Sequence, residues 1–267
     1  YLYVDKTKYI YELIKKGEVY FLSRPRRFGK LLLVSTLKCW FVAKMELFEG
    51  LWIYNKWDWV RHYPVVVIDF NDIKSDTPEN LEKDILATLK QNAKNLGLDT
   101  DIESSISQTF ESLLIEASRK YNSEAVILID EYDRPIINHL GEGEERLEIA
   151  KRNREILKTF YSVIKANAVQ DVTRFVLLTG VSKFSRVSVF SGLNNLLDLT
   201  MHSGYSSLLG ITEEEIDRYL GEHILEFASA NKITAEQARR NLREYYNGYM
   251  FSEDGERVYN PFSLLRC

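Results

Sequence analysis

The feature that most constrains this chain is a short apolar run, Tyr20-Phe21-Leu22, that passes through a basic loop into a helical stretch. The loop reads Arg24-Pro25-Arg26-Arg27-Phe28-Gly29-Lys30. A strand, a loop ending in Gly-Lys and a helix make an arrangement that cradles phosphates, because backbone N–H groups and the helix N-terminus face the anion. Gly29 permits close backbone approach, and Lys30 reaches the β- and γ-phosphates. Such a unit needs neighbouring parallel strands, so it commits the chain to an α/β fold. Two positions depart from G-x-x-x-x-G-K-[ST]: Arg24 replaces the first glycine, and Leu31 replaces the Mg²⁺-binding hydroxyl.

The remaining sequence supplies the strands and helices. Asp5 caps a helix running to about Lys16, which Gly17 ends. Strands are predicted over residues 18–23, 63–70, 125–129 and 173–179. Helices are predicted over residues 30–43, 79–96, 104–121 and 144–166. The alternation predicts a three-layer P-loop core whose parallel sheet has strand 18–23 at its centre. Beyond Gly210 the pattern turns helical, with a Thr212–Glu215 capping box and a final helix over 234–246 that stops at Asn247-Gly248. The chain therefore divides into a core, residues 1–210, and a smaller helical C-terminal subdomain, residues 211–267.

Two further strand ends carry chemistry. Ala125–Ile129 delivers Asp130-Glu131-Tyr132-Asp133 at the C-terminal end of a buried strand, where open α/β sheets place their ligands. Asp130 suits Mg²⁺ held through water, and Glu131 suits a general base. Arg174–Leu178 ends in Thr179-Gly180-Val181-Ser182-Lys183. Thr179 is placed to sense the γ-phosphate or orient water, and Lys183 and Arg186 to meet phosphate or a partner.

Composition excludes other classes. A net charge of −4 over 267 residues argues against a chain that is basic throughout, leaving only a local basic patch for nucleic acid. Two cysteines, Cys39 and Cys267, imply no disulfide framework and fit a reducing cytoplasm. No run has the length and apolarity of a membrane span, and no signal peptide is visible. The chain starts at Tyr1 and reads as a piece of a longer intracellular protein.

In order, these segments resemble the bacterial AAA-ATPase-like family, usually fused to a PD-(D/E)XK nuclease domain. The matching stretches are Val4–Thr7, Phe21–Lys30, Ile129–Ile136, Thr179–Ser185, Phe190–Leu196, Tyr246–Tyr249 and Tyr259–Ser263. The resemblance implies an ATP-binding P-loop core with Lys30 on phosphate, Asp130 on metal, Glu131 as base and Thr179 as sensor. It implies a nuclease domain beyond Cys267, through which alone nucleic acid would be met. Arg24 belongs to the family's pattern. Leu31 does not, where serine is expected, and neither does Phe41–Met45, where a Glu-Gly pair is expected.

Three functions fit these observations. One is an ATP-hydrolysing switch, with nucleotide held between core and helical subdomain and its state passed to a C-terminal effector. Its nucleotide site would comprise Arg24, Arg26, Arg27, Phe28, Gly29, Lys30 and Lys183. Another is a degenerate scaffold with little or no hydrolysis, which Leu31 favours and the intact Asp130-Glu131 pair opposes. The third is a free-standing nucleic-acid-binding or nuclease unit. The basic loop supports it, but Asp69 lacks a Glu-x-Lys companion. Neither nucleotide preference nor oligomeric state follows from the sequence.

Overall fold

The computed structural model describes residues 2–17, 19–99, 105–141, 143–182 and 196–266. Five parallel strands form one sheet: β1 (Val19–Ser23), β2 (Val65–Asp69), β3 (Ala125–Asp130), β4 (Thr173–Gly180) and β5 (Leu196–Asp198). Their spatial order is β2-β3-β4-β1-β5. The centre is therefore β4, and β1 lies between β4 and β5, which corrects the expectation of a central β1. The register aligns Leu22 with Thr179, Ile129 with Leu178 and Asp69 with Asp130, so the polar strand tips share one edge.

Strand residues alternate between two faces, and the two cores follow that alternation. Phe21, Ile68, Ile127, Ile129, Val176 and Leu178 pack on one side. There they meet α3 (Pro78–Asn95), α4 (Ile106–Tyr121), α6 (Glu144–Ser162) and α7 (Asn167–Gln170). Tyr20, Leu22, Val126, Leu128, Phe175 and Leu177 pack on the other side. That face is covered by α1 (Thr7–Lys16), α2 (Lys30–Phe41) and the aromatic stretch around Phe48, Trp57 and Trp59. A short helix, α5 (Arg134–Ile137), connects β3 to α6.

Caps fix several helix boundaries. Gly17 closes α1 in the left-handed conformation, φ 65°. Asp5 takes the Thr7 N–H and hydroxyl on one oxygen and the Trp52 N–H on the other, so it also ties α1 to the aromatic stretch. The predicted helix over 144–166 ends at Ser162, and a 3₁₀ turn then carries the chain to α7.

Beyond Gly210 come α8 (Glu213–Ala230), α9 (Ala235–Tyr246) and the one-turn α10 (Pro261–Leu264). The Thr212–Glu215 capping box forms as expected. These helices build a small third core around Ile216, Leu220, Ile224, Ala238 and Leu242. The chain between α9 and α10 doubles back, with Tyr249 paired to Val258 and Ile211 to Tyr259. Gly210 lies where this hairpin meets the core. Its φ is 93°, and a Cβ there would fall 2.8 Å from Val258 and 2.9 Å from Phe28. No helix among the described residues is long and apolar enough to cross a membrane.

Candidate functional site

The site is assembled at the C-terminal edge of the sheet. β1 ends at Ser23, whose hydroxyl donates to the Val181 carbonyl at 2.7 Å, while the Arg24 N–H donates to the Gly180 carbonyl at 3.1 Å. The start of the loop is thus tied to the end of β4. Arg27 (φ 64°) and Gly29 (φ 94°) are both left-handed, and they turn the backbone into α2. Among the described residues nothing accepts a hydrogen bond from the backbone N–H groups of residues 26–32. Helix N-termini leave such donors unmet, and the helix dipole adds positive potential there. A concave run of donors of this kind suits an anion.

Lys30 is buried, and its ammonium donates to the carbonyls of Arg24 (3.1 Å) and Pro25 (3.3 Å). It also lies 3.2 Å from a Glu131 carboxylate oxygen. Glu131 has a left-handed backbone, φ 51°, a conformation that non-glycine residues hold only when their surroundings fix it. Its neighbour Asp130 is buried and accepts hydrogen bonds from the Thr179 hydroxyl and the Glu131 N–H. Burial raises the Asp130 carboxyl above the ordinary range, and the nearby charges of Asp69 and Glu131 add to that. The hydrogen bond from Thr179 works in the opposite direction. Lys30, Glu131, Asp130 and Thr179 therefore form a continuous polar cluster.

Two loop side chains, Arg24 and Phe28, face inward. The Arg24 guanidinium is 1% exposed and donates to the carbonyls of Ser23, Thr200 and Tyr205, with the Phe251 ring 3.9 Å away. Phe28 is fully buried against Tyr249 and Phe251. Neither side chain is turned toward the loop mouth, so at these two positions only the backbone faces it. Arg27 is exposed and lies over Phe262 at 4.3 Å, and Arg26 is exposed. Leu31 is 61% exposed, so its side chain does not enter the helix–sheet interface. Lys183 and Arg186 lie outside the described residues.

Two contributors went unread in the sequence. Asp133 is fully buried and accepts from the N–H groups of Val181 and Ser182, the latter at 2.6 Å. Tyr132 donates its hydroxyl proton to the Ser182 carbonyl. Gly180 fits closely against both, since a Cβ there would lie 2.4 Å from Tyr132 and 2.8 Å from Asp133. Asp133, two residues after the candidate base, thereby sets the height of the Thr179 tip. The only advance signal was its place in an acidic strand end.

No three His, Cys, Asp or Glu side chains gather into a cation site among the described residues. Asp130, the Thr179 hydroxyl and Asp69, which is paired with Asp130 across β2 and β3, offer oxygens at this edge. That donor set suits Mg²⁺ held mainly by phosphate oxygens and water. Leu31 adds no ligand.

Beside the loop, Val4, Phe28, Gly29, Leu32, Leu209 and Ile211 line an apolar recess of about 130 Å³. It opens between the N-terminal segment, the start of α2 and the Leu209–Ile211 join.

A parallel sheet flanked by helices, with a Gly-Lys loop, an acidic strand end and a threonine tip at one edge, is a P-loop-like three-layer core. The comparisons agree. Residues 1–190 match the AAA-ATPase-like family, described as "Predicted AAA-ATPase", and the chain belongs to that family. An Azotobacter chroococcum mcd 1 protein, "Uncharacterized protein in vnfD 5'region", is 41% identical over 265 residues. That match covers 99% of this chain and 48% of the relative, so the chain spans about half of that protein's length.

Proposed function

We propose that this chain binds ATP and acts as a slow ATPase or nucleotide switch. The observation that carries the reading is the run of N–H groups at 26–32 that meet no acceptor among the described residues, around a buried lysine. In this reading the phosphates lie on those donors and on Lys30. The base enters the apolar recess bounded by Val4, Leu209 and Ile211, between the core and the helical subdomain. Asp130 and Thr179 would hold a hydrated Mg²⁺ beside the phosphates, where it would supply charge stabilisation for phosphoryl transfer. Glu131 takes the proton of the attacking water.

The nucleotide must first compete for Lys30, which is engaged by Glu131 and two loop carbonyls. Phosphate binding would release the Glu131 carboxylate for work as a base. Control of an effector C-terminal to this chain belongs to the same proposal, as does a cytoplasmic setting.

A second reading, a scaffold that binds nucleotide without turnover, is favoured by one observation. Leu31 contributes no oxygen at the position where a hydroxyl would meet the metal. Calorimetric titration of the chain with ATP, with and without Mg²⁺, followed by phosphate-release assays, separates the two. Binding with measurable turnover supports the switch, and binding with none supports the scaffold. Absence of binding under both conditions removes the nucleotide reading altogether.

A further inference from the structure

The phosphate loop has two sides, and the second side touches the hairpin and helix that follow α9. Arg24, Arg27 and Phe28 each contact an aromatic ring from this region. Arg24 lies 3.9 Å from the Phe251 ring centre and Arg27 4.3 Å from that of Phe262. Phe28 packs edge-on to Tyr249 at 4.9 Å and to Phe251 at 5.2 Å. Gly210 admits this approach, because any side chain there would collide with Phe28 and Val258.

These contacts bear on how the loop keeps its shape. A left-handed arginine persists only where neighbours fix it, and Arg27 is such a residue. Arg24 is a buried cation, and no carboxylate among the described residues forms an ion pair with it. Burial lowers its pKa to about 10, with Asp198 opposing the shift. Three carbonyls and the face of Phe251 hold the charge directly, with Asp198 adding a longer-range attraction. An aromatic face attracts a guanidinium more strongly when both are removed from water. Loss of the ring would remove one of the groups that hold Arg24 in place.

We propose that Phe251 and Phe262 are positioning residues of the phosphate loop, holding Arg24 and Arg27 so that the N–H groups of residues 26–32 converge. Nucleotide occupancy and the docked state of segment 249–262 are then coupled. This rests on reading residues 24–30 as a phosphate loop. Coupling is reciprocal: a docked segment favours the nucleotide, and the nucleotide favours docking.

The test uses the whole chain with Phe251→Leu and Phe262→Leu, which keep apolar volume and lose the aromatic face, and Phe251→Tyr and Phe262→Tyr, which restore it. ATP affinity is measured by calorimetry well below the melting temperature. Each leucine variant should bind about tenfold more weakly and each tyrosine variant near the parent value. Hydrogen exchange supplies the second readout. ATP should slow exchange across 249–262 in the parent and leave it unchanged in Lys30→Ala. A purely structural role for the rings would lower thermal stability, leave affinity unchanged, and show no protection of 249–262 by ATP; that result overturns the proposal.

If the parent does not bind ATP, the nucleotide reading fails, and coupling is judged without ligand. Exchange at the bonded amides flanking the loop, Arg24 and Leu33, should accelerate in Phe262→Leu, and unchanged exchange there would overturn it as well. Should Phe251→Leu not fold, the Phe262 pair decides.

Discussion

The Lys30 ammonium and the Glu131 carboxylate lie 3.2 Å apart, joining the loop after β1 to the end of β3. One partner is the group expected to meet phosphate, and the other is the candidate base. Under the proposed function, their contact would couple phosphate binding to release of the base. The pair is largely buried, and removing one member of such a pair strands the other without its counter-charge.

Lys30→Ala should therefore have two effects. ATP affinity should fall at least about tenfold, as expected on losing a charged hydrogen bond to phosphate. Stability should fall by about 1–3 kcal/mol, because Glu131 and two loop carbonyls lose their partner. Glu131→Gln keeps an acceptor for the ammonium but removes the charge that competes with phosphate. It should bind ATP at least as well as the parent and hydrolyse it about 10²- to 10⁴-fold more slowly. Calorimetry and phosphate release check both, and a weaker ATP affinity in Glu131→Gln would refute the competition.

Asp130 makes a prediction about pH. Its carboxyl is raised by burial and by the charges of Asp69 and Glu131, so the folded chain holds this proton to higher pH than the unfolded chain. Stability from this group is thus lost as pH rises from the ordinary carboxylate value of about 4 through the raised one. The cost of the buried charge therefore grows toward neutral pH. Asp130→Asn keeps an oxygen for the Thr179 hydroxyl and removes that charge. It should melt higher than the parent at pH 7, with the gap closing toward pH 4, while Mg²⁺-dependent ATP binding weakens. Calorimetric melting of both proteins across that range checks it, and a variant less stable at pH 7 than at pH 4 relative to the parent would reverse the sign.

Asp133 tests the scaffold beneath the site. Asp133→Ala leaves the N–H groups of Val181 and Ser182 without their acceptor and empties a fully buried position. The expected loss is about 2–4 kcal/mol, set by unmet buried donors that had a charged partner. Chemical denaturation measures it. A loss within about 0.5 kcal/mol, the range of ordinary surface substitutions, would show that the β4 tip does not depend on this carboxylate.

How far the sequence was legible follows from the length of each signal. β1, β3 and β4 were readable because continuous apolar runs end in distinctive polar residues, as buried parallel strands do. β5 has three half-buried residues, Leu196–Asp198, too few to show any period. Overlooking it does not by itself explain the misplaced centre: without β5, β1 would be an edge strand, and β5's pairing to the outer side of β1 leaves β4 in the middle. The aromatic stretch around Phe48, Trp57 and Trp59 has no regular spacing because its residues fill gaps over the α2 face. Arg24 and Phe28 read as ligand contacts because a motif specifies residue types without saying which side of a loop each side chain takes. Only the third dimension reveals Phe251 and Tyr249 behind them.

Leu31 decides between a switch and a scaffold. In a P-loop the hydroxyl after the lysine is a direct Mg²⁺ ligand. At 61% exposure the leucine is not committed to the core, so its replacement should alter stability by no more than about 0.5 kcal/mol. Water can take the missing ligand's place where there is room, and the exposed position provides it. The parent should accordingly bind ATP through Lys30 and the loop N–H groups with weak Mg²⁺ dependence and slow turnover. Leu31→Ser restores an oxygen at the first turn of α2. It should raise the hydrolysis rate by about one to three orders of magnitude, the scale of a few kcal/mol of transition-state charge stabilisation. ATP binding without Mg²⁺ should change little, because the serine adds no charge. Phosphate-release rates for the two proteins at saturating ATP and Mg²⁺ provide the measurement. Equal and brisk turnover in both would mean that the metal is held without residue 31, and equal absence of turnover despite tight binding would favour the scaffold.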